Sequence, residues 1–400
     1  MIDHPRGAER VVVVLVPGIS EDRVVAAMEE GRAPHLASLV STGLVAEVDI
    51  SGTISGLTFW TRALAGAEPA QNRLAIGGAQ PPIWSALGAR AAVVGVPDGL
   101  FPDPAGRGGP ATAGADSAFV GSNAMTPVEG DELRAARLPA QFAVAGEKLK
   151  LIASTLAPGR WSDWIELGEG GAERFQVLRY DSDRYLLSPL YRAVRLETIP
   201  PSQVVLSDPF VAAVEPYLRT AVVEHLVSVD ETRGLAIERL LQSSADLRAF
   251  FYAFTVGESA TRVFGGEVDD SSMHARVVEV LDRRLERLSA AAGDGGVLLL
   301  VGGPGLSRQK SGAAWCLVSS GEGARLERSR VDVGGLVRLL RYLLGVPLSV
   351  KDREGVPPAL LARYPHRASV VADTPRDVDR VDTFPWGVDS LESLLQAPGS

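Results

Sequence analysis

The sequence predicts an α/β protein: a doubly wound, mostly parallel sheet with helices on both faces and an inserted cap region. Three observations carry that expectation. Residues 11–16 (VVVVLV) and the stretch GVLLLVGG at 296–303 are apolar throughout, which suits strands buried on both faces of a parallel sheet. Amphipathic helical stretches alternate with such runs near both ends of the chain. Between them, a segment of different composition interrupts the alternation.

The elements follow in order. After the first strand, EDRVVAAMEEGRAPHLASLVSTG shows helical periodicity, a Gly-Arg-Ala-Pro break and a second short helix. AEVDISG alternates as a strand and leads into a loop rich in Ser, Thr and Gly. FWTRALAGAEP reads as a helix entering behind that loop, and RAAVVGVPD as another buried strand. DPAGRGGPATAGADS has linker composition and marks the edge of the insertion. Within the insertion, WSDWIEL and RFQVLRY suggest antiparallel strands. Alternation resumes with FFYAFTV, the charged helix MHARVVEVLDRRLERLSAAA, the strand GVLLLVGG, the strand AWCLVSSG and the helix VGGLVRLLRYLLGV. The expected organisation is therefore an α/β core from residues 1–105 and 246–365, a cap from 106–245, and a tail from 366–400. In such folds the chemistry sits where loops leave the carboxyl ends of the strands. Here those loops begin at Pro17, around Thr53 to Thr58, near Gly257 and at Gly302.

Composition narrows the function classes. The 400 residues carry a formal charge of −9, with 46% hydrophobic and 22% charged residues. That balance suits a globular protein with a sizeable core and argues against a sequence-independent nucleic-acid binder. The single cysteine, Cys316, rules out an internal disulfide and any cysteine-based zinc cluster. Its apolar setting reads as a buried strand position. The first apolar run is too short to span a membrane and lacks a cleavage pattern, so a cytoplasmic location is expected.

The loops at the strand ends carry a family resemblance. VVLVPGISEDRV resembles a strand that ends in Asp-Gly in the type I phosphodiesterase/nucleotide pyrophosphatase branch of the alkaline phosphatase superfamily. GRAPHLASLVSTG resembles that family's Gly-Arg-Leu-Pro-Asn-Leu break, and FWTRALAGAEPAQNRL its Ala-Trp-Thr-Ser-Leu-Ala-Thr-Gly segment. FVGSNAMTP, WSDWIEL and YLLSPLY resemble segments of its inserted region. LLRYLLGVPLSVKDREGV resembles its Leu-Leu-Gly-Leu-Pro signature. The likeness runs from about residue 10 to about 365 and is strongest to bacterial proteins described as predicted phosphohydrolases or mutases.

The family's mechanism uses two divalent metals and a Thr or Ser nucleophile. The resemblance puts the first-strand Asp on Pro17 and the nucleophile on Gly56. It puts the Asp-x-x-x-His pair on Glu258 and Arg262, the Asp-His pair on Gly303 and Pro304, and the last His near Ser311. Proline and glycine side chains offer no donor, and a guanidinium opposes a cation. The resemblance thus implies a dismantled binuclear site: no metal, no cofactor, and no hydrolysis of phosphate esters by the family route.

Other candidates have ordinary readings beside them. His4, His35, His225, His274 and His366 show no helical metal spacing and read as surface or structural histidines. GGPGLSRQKSG ends in Lys310-Ser311, but a phosphate loop needs glycine where Pro304 and Gln309 stand. Glu258 and Arg262 form either an i,i+4 ion pair or an acid/base and anion holder in the old cleft. Thr58 joins them as a catalytic candidate, and Ser20, Thr53, Ser55, Gly303 and Ser311 as ligand-binding candidates. Trp60, Trp161 and Trp164 either wall an apolar pocket or belong to the core. Two functions remain open, beside a third, phosphodiesterase or phosphatase activity through relocated ligands. One is a pseudoenzyme binding a small molecule through the cleft, and the other is metal-independent cyclisation, isomerisation or elimination in bacterial specialised metabolism. Neither involves nucleic acid or membrane.

Overall fold

Seven strands form the central sheet: β1 (Val11–Pro17), β2 (Leu44–Asp49), β3 (Ala91–Val94), β4 (Ala249–Ala253), β5 (Val297–Gly303), β6 (Ala314–Ser319) and β7 (Ser329–Asp332). Their order across the sheet is β7-β2-β6-β5-β1-β4-β3. The structure is a computed structural model. It describes residues 10–50, 56–65, 83–84, 87, 91–94, 117–121, 126–135, 138, 142, 145–167, 173–195, 218–243, 247–264, 271–293, 296–305, 314–319, 329–354, 356–358, 361 and 370–371.

The sheet is mostly parallel, as the apolar runs predict. β1 lies between β4 and β5, parallel to both, and β3 extends that block in parallel. β6 alone among these strands runs antiparallel, against β5 on one side and β2 on the other. Because β2 and β7 pair in parallel, the carboxyl ends of β1, β2, β3, β4, β5 and β7 share one edge.

Alternation along each strand divides two cores. Val12, Val14, Val16, Phe250, Tyr252, Leu298 and Leu300 face one side. That side is covered by α1 (Glu21–Glu29), α2 (Pro34–Thr42), α4 (Arg219–Ser243) and α6 (Ser271–Ala292). Val13, Leu15, Phe251, Leu299, Val301 and Cys316 face the other, against α3 (Gly56–Ala65) and α7 (Val333–Leu343). Burying apolar side chains from both faces is what stabilises a doubly wound sheet. Cys316 is buried, as its apolar setting implies, and burial pushes its thiol up to about 12.

Local chemistry sets the helix boundaries. Pro34 occupies the first turn of α2, where a missing N–H costs nothing. The first-turn backbone amides of His35 and Leu36, which have no partner within the helix, donate to Asp282 on α6, at 3.3 and 2.6 Å. His35 also reaches Ser289 through Nε2 at 3.1 Å, so it is structural. Asp332 caps α7 by accepting from the amide of Gly335.

Residues 117–195 contain two four-stranded antiparallel sheets. One joins 126–129, 184–187, 177–179 and 160–161; the other joins 117–121, 191–195, 173–175 and 165–167. The 25-residue α4 follows them in sequence yet packs into the core of the central sheet. Between α4 and the sheet lies a buried polar group. Arg284 of α6 donates to the carbonyl and carboxylate oxygens of Asp230 at 2.8 and 3.2 Å, and the Tyr252 hydroxyl donates to Asp230 as well. Burial first, and the Asp230 carboxylate second, push the Tyr252 phenol well above its usual range. Gly234 leaves the notch the Arg284 guanidinium fills, since any β-carbon there would overlap it.

Candidate functional site

The shared carboxyl edge brings three loops together at β1, β4 and β5. Gly18 follows β1 at φ 78°, a left-handed turn that favours glycine, and its amide donates to the Gly303 carbonyl at 3.1 Å. Pro17 pairs with Gly303 in register. After β4, Phe254 donates its amide to the Leu15 carbonyl at 2.8 Å, and α5 (Val256–Phe264) begins two residues later. The strand is therefore Ala249–Ala253, and Val256, the last residue of FFYAFTV, is already helical.

Glu258 stands in the first turn of α5 and is 3% exposed. Its side chain lies over the β1–β5 edge: a β-carbon on Gly18 would be 3.2 Å from Oε2 and 3.0 Å from the Glu258 Cα. A β-carbon on Gly305 would overlap the same oxygen. Close approach of two loops to one carboxylate is what these two glycines permit. An acidic group in the first turn of a helix is also favoured by the backbone dipole.

The opposite wall comes from α3. Phe59 and Trp60 are buried edge to face at 5.0 Å, and both lie against Gly303. The Trp60 indole donates to the Pro304 carbonyl at 2.8 Å, tying α3 to the loop after β5. Of the two readings for Trp60, the core one holds. On the other face of β5, Trp315 covers Gly302, where no side chain larger than hydrogen fits.

The structure places the remaining candidates unevenly. Ser20 is the N-cap residue of α1, half-buried, and its hydroxyl makes no capping bond. Thr58 is in the first turn of α3, at the same edge, and half-buried. Arg262 lies one turn after Glu258 on α5, and its side chain lies outside the described residues. Thr53, Ser55 and Ser311 lie outside them too, as do His4 and His366. Glu258, Gly303 and the helices bearing Thr58 and Arg262 thus meet at one edge, with Ser20 beside them.

The described residues at this edge offer few side-chain donors to a binuclear metal centre. Two divalent ions need several hard donors at fixed positions. Pro17, Gly18, Gly303, Pro304 and Gly305 supply none from their side chains, leaving the carboxylate of Glu258. Among the described residues, no three His, Cys, Asp or Glu side chains form a group that could hold a metal ion. No described helix is long and apolar enough to cross a membrane.

Sequence reasoning passed over one buried polar cluster. His225 of α4 is 1% exposed and lies between Trp161 and Trp164, with ring centroids at 4.6 and 6.0 Å. Tyr191 meets its Nε2 at 2.7 Å, and Gln176 meets its Nδ1 at 2.9 Å. Burial drives the imidazole pKa down to about 3. The three partners are far apart in the chain, so no local motif announces them.

No protein-family model matches the chain, and no curated protein matches it. Similar solved structures exist. The alkaline phosphatase from the Antarctic bacterium TAB5 is 10% identical, with a TM-score of 0.43 over 85% of this chain and 99% of that one. A protein in the alkaline phosphatase superfamily from Vibrio parahaemolyticus is 10% identical, with a TM-score of 0.38 over 84% of this chain. The chain spans 66% of that protein's length, just under two thirds. Ps i-CgsB is 12% identical, with a TM-score of 0.40 over 90% of this chain and 77% of that one. The solved structures to which the chain is similar thus include an alkaline phosphatase and a protein in the alkaline phosphatase superfamily.

Proposed function

We propose that this chain is a relative of the alkaline phosphatase superfamily that lacks the binuclear metal site and the nucleophile, and that its cleft binds a small organic molecule without metal. The observation that carries the reading is the donor set at the shared edge. One buried carboxylate, Glu258, lies against Gly18 and Gly305, and the neighbouring residues Pro17, Gly303 and Pro304 of the same two loops carry no side-chain donor. Replacing donors by proline and glycine makes a cleft drier and less charged, which suits an organic ligand better than a phosphate ester. Thr58 and Ser20 supply hydroxyls at the starts of α3 and α1, on the same edge of the sheet.

Turnover is the second reading, favoured by the placement of Glu258. A buried carboxylate in the first turn of the helix that follows a strand is a group able to move a proton on a substrate held beside it. Cyclisation, isomerisation and elimination all need such a group and no metal.

The test is a thermal-shift screen of small aromatic and aliphatic amines, alcohols and carboxylic acids, run with chelator present. The reading expects at least one compound to raise Tm in chelator and Glu258→Gln to lose that response. Stabilisation that appears only when zinc or manganese is added overturns it.

A further inference from the structure

The buried cluster around His225 joins the antiparallel sheets to the core. His225 belongs to α4, whose apolar face packs into the central core. Its partners belong to the other side. Gln176 stands between the 173–175 and 177–179 strands, and Tyr191 opens the 191–195 strand. Trp161 completes the junction by donating its indole N–H to the Ala221 carbonyl of α4 at 2.8 Å.

The hydrogen bonds fix where the imidazole proton sits. The amide nitrogen of Gln176 donates to the Ser162 carbonyl at 2.9 Å, so its oxygen is the atom facing His225. That oxygen only accepts, so Nδ1 carries the proton. Nε2 is then a bare acceptor for the Tyr191 hydroxyl. A proton added to Nε2 turns this acceptor into a donor and opposes the Tyr191 hydroxyl. It also places a charge where His225 is 1% exposed and Tyr191 is fully buried.

We propose that the Tyr191–His225–Gln176 chain is a proton-operated latch: protonation at Nε2 releases the 160–195 sheets from α4. Among the described residues, the groups facing the imidazole are the phenol of Tyr191, the amide of Gln176 and the indoles of Trp161 and Trp164. Glu224, the neighbouring residue on α4, is exposed and pairs outward with Arg276 of α6 at 3.3 Å. No carboxylate in that set compensates an imidazolium, although stacking on Trp161 offsets part of the cost. The latch has a route to the cleft, because α4 packs against α5, the helix that carries Glu258.

The test is hydrogen exchange on the full chain between pH 7.5 and 5, corrected for intrinsic rates. In the wild type, amides of 160–195 should lose protection by up to about tenfold per pH unit below the ordinary imidazole range. Amides of β1 and β5 should keep theirs. His225→Gln, which cannot take the proton, should flatten the response. Should that variant fail to fold, Tyr191→Phe serves instead. It removes the donor that opposes a proton on Nε2, so the loss of protection on acidification should level off at higher pH than in the wild type. Unchanged protection of 160–195 across this range overturns the latch. So does equal loss in β1 and β5, or a response that neither substitution moves.

Discussion

Gly305 lies so close to Glu258 that a β-carbon on it would overlap Oε2 of the carboxylate. Gly18 approaches the same residue from the other loop, but meets its backbone: a β-carbon there would be 3.0 Å from Cα and 3.2 Å from the amide nitrogen. The difference sets the first prediction. Gly305→Ala meets the far end of a flexible side chain, so Glu258 swings aside and stability falls by no more than about 1 kcal/mol. Gly18→Ala meets fixed backbone at positive φ and should cost more, roughly 1–3 kcal/mol. Urea unfolding of the two variants ranks them, and a larger loss for Gly305→Ala contradicts this packing.

The second prediction concerns the pair beneath the sheet. Asp230 and Arg284 both have side chains 3% exposed, and Gly234 makes room for the guanidinium. Gly234→Ala should displace Arg284 and break its bonds to Asp230, at a cost of about 3–5 kcal/mol. Tyr252→Phe removes one donor to Asp230 and keeps the ion pair, so it should cost less, about 1–3 kcal/mol. Equal losses in guanidinium denaturation would mean that the pair is not what Gly234 protects.

The third prediction follows from Cys316. Its thiol is buried in β6 and held up to about 12. The native protein should therefore resist an aromatic disulfide reagent at pH 8 and react fully once unfolded. The sign of the pH effect is fixed. The unfolded thiol loses its proton from about pH 8.5–9 upward, while the folded one keeps it until about 12. The stability this group contributes is complete below that window and falls as pH rises through it, by about 1.4 kcal/mol per unit. Cys316→Ala should remove that share of the alkaline loss. Rapid labelling of the native protein would contradict the burial.

Much of the fold was legible because its central strands are apolar on both faces. β1 and β5 stand out as uninterrupted valine and leucine runs, and the helix of GRAPHLASLVSTG begins at the proline that predicts it. β7 was not legible: Ser329–Asp332 is short and carries two charges. The reversed direction of β6 was hidden too, since burial on both faces looks alike in either direction. α4 blurred its own signal by burying Asp230, Arg233 and His225 beside valines and leucines.

The site divides in the same way. The donor-poor positions Pro17, Gly303 and Pro304 were readable from the motifs, and the structure brings them to one edge. The glycines packed on Glu258 were not readable, because only three-dimensional contact shows which side chain a glycine accommodates. The His225 cluster needed residues 176, 191 and 225 to be folded together before any chemistry was visible.

Metal content, measured together with hydrolysis of aryl phosphate mono- and diesters, tests the account most directly. Protein purified without chelator and then supplied with zinc or manganese should bind neither stoichiometrically and should release no phenol from either ester. About two metals per chain, the complement of a binuclear centre, removed by chelator together with ester hydrolysis, would contradict it.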